Sequence, residues 1–154
     1  MKHIIFTALT MILLTSCAVV TSPKAPSFAA APTPEPAADK SILYIYRHYS
    51  QPTAYVGSLQ IDKQEIISLN QEGFTWIYVT PGTRKFKFGF PPITGMPTVD
   101  FEHTFEPGKI YAFEMQGISA GPRIVSAIQP TDINEAKQKL LTCCRYVAPK
   151  KTNF

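Results

Sequence analysis

Three cysteines carry the most reactive side chains of this sequence, and two of them, Cys143 and Cys144, are adjacent. In an oxidising compartment such thiols can form a disulfide, but a bridge between neighbours closes a strained ring that regular helix geometry does not allow. Cys144 falls on the apolar stripe of a predicted helix, which favours burial as a small hydrophobic residue. Cys143 lies off that stripe, where it could pair between molecules. The two residues are therefore the candidate thiol or disulfide site.

Other reactive groups are sparse. Of three histidines, His3 stands near the N-terminus and only His48 and His103 lie further along the chain, and no His-x-His or Cys-x-x-Cys spacing suggests a metal site. Asp100 and Glu102 flank Phe101 and point the same way on a strand, which fits a paired carboxylate or, more commonly, a solvent-facing strand. No nucleophile elbow or phosphate-binding glycine loop is present in the sequence. We therefore predict no catalytic residues, no metal and no cofactor, and expect that the protein is not an enzyme.

Arg47 and Trp76 are the candidates for contact with a ligand or partner. Arg47 ends an apolar segment, where its guanidinium either faces a ligand or pairs with a carboxylate or with loop carbonyls, and the pairing is favoured. Trp76 has an aromatic residue two positions away on each side. This pattern favours a core position over a sugar-binding platform.

The N-terminal region predicts export. Lys2 is followed by an apolar run over residues 4–14, which has the length of a secretory signal and falls short of the roughly 20 residues of a membrane-spanning helix. Leu14 and Ser16, placed three and one residues before Cys17, resemble a bacterial lipobox. The resemblance implies removal of residues 1–16, a diacylglycerol thioether on Cys17, and acylation of its new amino group by a fatty acid such as palmitate. Cleavage near the alanines at 29–31 is the alternative, but it lies far from the apolar run.

A lipidated chain of this kind belongs to the cell envelope. In a Gram-negative cell, Ala18 in place of an aspartate after the cysteine favours the outer membrane, facing the periplasm. Residues 17–39 then form a linker with five prolines and no apolar periodicity, which predicts a disordered, extended tether. Its 22 residues after the cysteine would reach roughly 70 Å if fully extended.

Residues 40–154 have the length of one domain, and strand patterns dominate it. Apolar and aromatic runs predict strands near residues 41–47, 55–61, 65–69, 74–80, 84–90, 99–105, 110–115 and 123–128. Pro81 and Gly82 fit a type II turn, and we expect strands 74–80 and 84–90 to form a hairpin whose aromatic faces join the core. Frequent turns between short strands predict an all-β, mainly antiparallel fold, a small β-sandwich of about seven or eight strands.

One C-terminal helix should close the domain. Asp132 and Glu135 have the spacing of a capping box. Helical spacing then predicts an apolar stripe made by Ile133, Ala136, Leu140 and Cys144. The helix is expected either on the sheet or across an open end of the sandwich.

A family resemblance covers nearly all of this domain. The residues that carry it are Leu43–Arg47, Val56-Gly57, Ile61-Asp62-Lys63, Pro81-Gly82-x-Arg84 and Phe105-x-Pro107-Gly108-x-x-Tyr111. In order and spacing they resemble the DUF2846 domain of small bacterial lipoproteins, a family without an assigned chemistry. The resemblance implies a β-sandwich lipoprotein and leaves Cys143, Cys144 and the Pro91-Pro92 loop outside the pattern.

Two classes of function follow from these residues. The first is a membrane-anchored, non-catalytic accessory or structural module that binds an envelope protein or a glycan, and an unpaired sheet edge would favour it. The second is a small envelope enzyme or redox protein using Cys143 and Cys144, which a pocket gathering Arg47, His103 and carboxylates would favour. A weaker third is direct contact of Lys85 and Lys87 with anionic lipid. The net charge of +4 is small and scattered, so no nucleic-acid partner is expected.

Overall fold

The computed structural model describes residues 20–150, and the predicted signal peptide and Cys17 lie outside this range. Its elements are β1 (Ser41–Arg47), β2 (Gly57–Ile61), β3 (Gln64–Leu69), β4 (Gly73–Val79), β5 (Gly82–Gly89), β6 (Val99–Phe105), β7 (Ile110–Ala120), β8 (Arg123–Thr131), α1 (Ile133–Cys143) and β9 (Arg145–Tyr146), with two short 3-10 turns at Phe28–Ala30 and Pro92–Thr94. The predicted all-β fold with one C-terminal helix is confirmed. The two-residue strand β9 was not among the predicted strands.

The strands form two sheets. A five-stranded sheet has the order β8-β7-β1-β4-β9, and a four-stranded sheet has the order β3-β2-β5-β6. The pairs β1–β7 and β4–β9 are parallel, and the other pairs are antiparallel. Strand β1 lies in the middle of the larger sheet because all seven of its residues are buried and both of its faces need cover.

The sheets enclose an inner core. Alternate residues of each strand point into it, as the two-residue period of a strand requires. The larger sheet contributes mostly aliphatic side chains and the smaller sheet adds phenylalanines, and together the principal members are Leu43, Ile45, Ile77, Val79, Leu59, Ile61, Phe86, Phe88 and Phe90.

The outer face of the larger sheet carries a second apolar layer under α1. Ala136 and Leu140 of the helix are buried there against the aromatic residues of β1 and β4. Lys139 also donates to Glu114 at 2.9 Å, and Glu114 accepts a 3.1 Å hydrogen bond from the Tyr46 hydroxyl. Burial raises the pKa of Tyr46 to about 12, so the hydroxyl keeps its proton and donates. Of the two placements predicted for the helix, the one on the sheet is therefore observed.

The helix begins after Asp132, as predicted, but only half of the predicted capping box forms. Asp132 Oδ1 accepts from the backbone N–H of Asn134 at 2.8 Å and of Glu135 at 3.2 Å, which satisfies two of the amide groups that an N-terminus leaves unpaired. The Glu135 carboxylate pairs with Lys139 at 3.0 Å. Asp132 therefore caps the helix alone, because the Glu135 side chain pairs with Lys139 and does not bond back to the Asp132 N–H.

The predicted hairpin of β4 and β5 is wrong. Strand β4 pairs with β1 and β9, whereas β5 pairs with β2 and β6, so the Pro81-Gly82 turn carries the chain from one sheet to the other. Gly82 has a φ of +113°, as the second central position of such a turn needs. As a result the aromatic face of β5 joins the inner core, and that of β4 joins the outer layer.

The expected disordered tether is also corrected for the described residues. Residues 20–40 run along the outer face of the larger sheet, where Phe28 packs edge-on against Tyr44 and Phe74 with ring centroids 6.2 and 5.4 Å apart. Trp76 Nε1 donates to the Pro32 carbonyl at 2.7 Å, and the Tyr78 hydroxyl donates to the Glu35 carbonyl at 2.8 Å. Proline lacks an N–H but keeps its carbonyl, so a proline-rich segment can accept from donors on an aromatic sheet face.

Candidate functional site

The candidate site is the end of the sandwich where β1 and β7 finish. Because β1 and β7 are parallel neighbours, the loop 48–56 after β1 and the β7–β8 turn at 121–122 meet at this end. The β5–β6 loop 90–98 and the β3–β4 connection 70–72 reach the same end. We call these four connections together the loop end.

Arg47 holds loop 48–56, one of the two nine-residue loops of this end, in place. Its side chain is completely buried. Its guanidinium donates to the carbonyls of Tyr55, Pro52 and Leu69, at 2.6 Å for Pro52 and 3.3 Å for Leu69. The guanidinium carbon lies 4.8 Å from the centroid of the Phe90 ring, within cation–π range. Arg47 thereby fixes loop 48–56 against β3 and the start of loop 90–98.

No carboxylate neutralises this cation among the residues that the structure describes. Burial lowers the pKa of Arg47 to about 10, which still leaves it charged at neutral pH. Carbonyl dipoles and an aromatic face take the place of a counter-ion. Of the alternatives predicted for Arg47, the structure places it among loop carbonyls, and it is a positioning residue that does not face solvent.

Gln71 ties the same loop to the N-terminal segment. Its buried side-chain amide donates to the Ser50 carbonyl and accepts from the Ser50 N–H at 3.0 Å. Its own backbone carbonyl accepts from the Thr21 N–H at 2.8 Å. Residues 20–21 therefore lie at the loop end, directly beside loop 48–56.

Gly117 seats the loop on β7. Gln51 forms an isolated antiparallel bridge with Gly117, and a Cβ at Gly117 would stand 2.1 Å from the Gln51 carbonyl oxygen. Only glycine allows this approach of two backbones. Sequence reasoning missed both Gln71 and Gly117, because neither belongs to a motif and both act on residues distant in the chain.

A cleft of about 680 Å³ opens between three of these connections. Pro52 and Tyr55 line one side, residues 93–97 a second and residues 122–125 the third. Arg123 is the only charged residue of the lining. The volume lies within the range of ligand pockets, but the lining has no pair of titratable groups suited to acid–base chemistry.

The surface around the cleft is apolar and nearly uncharged. Five of the seven exposed large hydrophobic residues in the described part of the chain lie in the loop end or next to it, namely Val20, Tyr49, Ile93, Ile118 and Ile124, and Ile93 is 80% exposed. Residues 48–56, 90–98 and 117–125 contain no Asp, Glu or Lys and a single Arg. Clustered exposure of this kind marks an interaction surface.

The opposite end of the sandwich has the reverse composition. We call it the charged end, because its connections carry Asp39, Lys40, Asp62, Lys63, Glu106, Lys109 and Asp132. Arg84 there pairs with Asp62 at 3.0 Å. Its turns are short, with glycine in a left-handed conformation at Gly82 and Gly108.

His103 and the neighbouring carboxylates lie away from the loop end. His103 sits on β6 among the rings of Phe105, Tyr111 and Phe113, with centroids 4.9, 5.1 and 5.0 Å away, and burial lowers its pKa. Asp100 and Glu102 are exposed and stand opposite Lys87 and Lys85 of β5. The structure does not bring Arg47, His103 and these carboxylates into one pocket.

Trp76 lies half-buried, with its indole N–H donated to the Pro32 carbonyl and its ring edge-on to Tyr78 at 5.6 Å. It belongs to the rim of the outer apolar layer. The N-terminal segment therefore covers Trp76, which the sequence suggested as a contact for a ligand or partner.

Cys143 and Cys144 are joined by a disulfide. Cys143 is the last residue of α1, and Cys144 already has an extended backbone with φ −109° and ψ 149°. The geometric objection to an adjacent bridge applied to a pair inside the helix, whereas this pair straddles its end. Cys144 is buried as its place on the stripe predicted.

Within residues 20–150, no group of three His, Cys, Asp or Glu side chains is placed to hold a metal ion. In the same part of the chain, no helix has the length and apolar character needed to cross a membrane. No protein-family model and no curated protein matches this chain.

Proposed function

We propose that the protein is a non-catalytic binding module of the cell envelope, anchored to the membrane through acylated Cys17. The observation that carries the binding role is the free edge of the larger sheet. Strand β8 pairs with β7 through nine residues, and no other described strand is hydrogen-bonded to its outer edge. Its outward backbone groups form a template to which another strand can add.

The other three sheet edges are covered or charged. Residues 26–27 pair with β9, and the Lys150 N–H donates to Ile66 of β3 at 2.8 Å. Strand β6 exposes Asp100 and Glu102, which are the kind of side chain that discourages edge pairing. Strand β8 differs, because it has no charged residue after Arg123 and its one proline, Pro130, stands next to its last residue. Every residue from 124 to 129 therefore keeps its backbone N–H.

The partner that fits β8 is an extended, uncharged segment of an envelope protein. Ile124 and Ile128 lie on one face of the edge and Val125 and Ala127 on the other. An added strand would gain backbone hydrogen bonds along β8 and apolar contacts with these side chains, whereas a charged segment would have no opposite charge to meet.

The alternative of an enzyme or redox protein has less support. The cysteine sulfurs are in a disulfide at the end of α1, and Cys144 is only 3% exposed. Arg47 and His103 serve separate parts of the fold. A glycan partner also has less support, since Trp76 is occupied by the N-terminal segment.

The proposal is tested by photo-crosslinking in the native envelope. A photo-reactive residue at Gln129, which is exposed on β8, should give one discrete adduct with an envelope protein, and mapping should place the partner's attached residues in an extended segment. The matched control carries the same group at Thr104, exposed on the charged edge β6, and should give no such adduct. Equal adducts from both positions, or none from Gln129, would overturn the β8 assignment.

A second control tests the anchor. The mass of the mature protein should show loss of residues 1–16 and addition of acyl chains at Cys17, and Cys17→Ala should lower the yield of the Gln129 adduct. A mature wild-type protein without acyl chains would refute the anchoring.

A further inference from the structure

We infer that the loop end of the sandwich lies on the lipid bilayer, so that the domain stands on the membrane with its charged end outward. The inference rests on the proposed acylation of Cys17 and adds an orientation and a lipid contact to it. It differs from contact through Lys85 and Lys87, which lie on the solvent-facing side of the smaller sheet.

The path of the chain brings the loop end to the anchor. Val20 pairs with Gln71 at the loop end, and from there the chain runs along the outer face of the larger sheet to Lys40 at the charged end. Cys17 precedes Val20 by three residues, which span at most about 11 Å. The acylated residue therefore cannot be far from the loop end, and the docked segment does not act as a long spacer.

The chemistry of the loop end suits a membrane interface. Ile93 and Tyr49, 80% and 61% exposed, project from two different loops, and Ile118 and Ile124 are exposed on the β7–β8 hairpin. Aliphatic and tyrosine side chains are stabilised at the boundary between headgroups and acyl chains. In soluble surroundings the same side chains would remain in contact with water.

Charge at this end agrees with a headgroup surface. Lys24 and Arg123 are exposed there, and the only acidic residue in the four connections of the loop end is the half-buried Glu72. Cations attract anionic phospholipids, whereas carboxylates would be repelled. The connections of the charged end carry the acidic residues Asp39, Asp62, Glu106 and Asp132 beside lysines at 40, 63 and 109. Its carboxylates would be repelled by anionic headgroups, which makes this end the less favourable face for docking.

Internal ties keep the loops in position for this contact. Arg47 and Gln71 fix loop 48–56, and Gly117 joins it to the hairpin that carries Ile118 and Ile124. Docking would then require little ordering of the loops, which lowers its entropic cost.

The test uses the full, acylated chain in vesicles of phosphatidylethanolamine and phosphatidylglycerol. An environment-sensitive dye is attached to cysteine in the variant Ile93→Cys, and in the matched control Lys109→Cys at the charged end. We expect a blue shift, quenching by spin-labelled lipid and loss of iodide quenching for the dye at position 93. The dye at position 109 should keep full iodide quenching and show little quenching by lipid.

Substitutions separate the two candidate membrane faces. With the dye moved to position 124, Ile93→Asp together with Ile118→Asp should return its iodide quenching to the solvent level. Lys85→Glu with Lys87→Glu should leave that dye unchanged. If the lysine pair alone alters it, or if dyes at positions 93 and 109 behave alike in acylated protein, the loop-end inference is wrong while the anchored module stands. If the chain bears no acyl group, the proposed anchoring itself fails.

Discussion

The two ends of this sandwich use opposite means to finish the same strands. At the charged end the turns are short. Asp62 and Lys63 join β2 to β3 with positive φ angles, and Gly82 completes the turn that begins at 80–81. A surface ion pair between Arg84 and Asp62 adds to their stability. At the loop end, two of the four connections, 48–56 and 90–98, have nine residues each, and the buried groups of Arg47 and Gln71 hold the first of them in place. The comparison shows that buried side chains can hold a long uncharged loop in one conformation. The exposed side chains of the loop then remain free to contact a partner.

Removal of the Arg47 guanidinium should reduce the stability of the protein more than any other substitution considered below. Arg47→Met should lower the free energy of unfolding by about 3 kcal/mol, because it leaves three loop carbonyls without their donor in a buried site. The measurement is urea unfolding followed by circular dichroism.

The charged end supplies the matched control for that substitution. Arg84 is partly exposed, and it pairs with Asp62 and donates to the Thr80 carbonyl, so Arg84→Met should cost about 1 kcal/mol or less. An equal cost for the two substitutions would show that Arg47 has no special role in ordering the loop.

A smaller loss of stability is expected from a substitution of Trp76, which hydrogen-bonds the N-terminal segment 20–40 to the larger sheet. Trp76→Phe keeps an aromatic ring but removes the indole donor to the Pro32 carbonyl, and should cost about 1 kcal/mol. Trypsin should then cut faster after Lys24 or Lys40 in the native protein.

A substitution elsewhere on the surface is the control for the cleavage experiment with Trp76→Phe. Leu141 is exposed on α1 at 56%, and Leu141→Ala should leave the rate of cleavage unchanged. Unchanged cleavage in Trp76→Phe would instead mean that the docked segment does not depend on this hydrogen bond.

The smallest expected effect is the response of His103 to pH. Because burial lowers its pKa in the folded state, the unfolded chain binds more protons just below pH 6.5, and stability must fall as the pH drops through that range. The decline between pH 7.5 and 5.5 should be shallower in His103→Phe, measured as the shift in urea midpoint. A decline identical to that of the wild type would assign the pH response to another group.

Local patterns predicted the elements well. The bounds of β1 and β6 and the start of α1 at Asp132 agree with the sequence pattern, because strand alternation and helix capping depend on neighbours in the chain. Which strands pair with one another was harder to predict from the sequence. The β4–β5 turn looked like a hairpin, but β4 pairs with β1 and β9 while β5 pairs with β2 and β6, and most of these partners are distant in the chain.

The site was predicted only in part. Arg47 was identified as a residue of interest, but its three carbonyl partners come from loops that the sequence does not place. Gln71 and Gly117 carry no local signal, since an amide and a glycine gain their roles from the backbones that approach them. Residues 20–40 lack apolar periodicity, and their docking depends on single contacts such as Phe28 on Tyr44 and Phe74.

Gln71 also transmits force between the N-terminal segment and loop 48–56. Its backbone receives the chain at Thr21, and its side chain grips Ser50. Tension applied from the amino-terminal side therefore reaches the β3–β4 connection and loop 48–56 before it can peel the proline-rich segment from the sheet. A force applied to the amino-terminal side would therefore act first on the surface that we assign to the membrane.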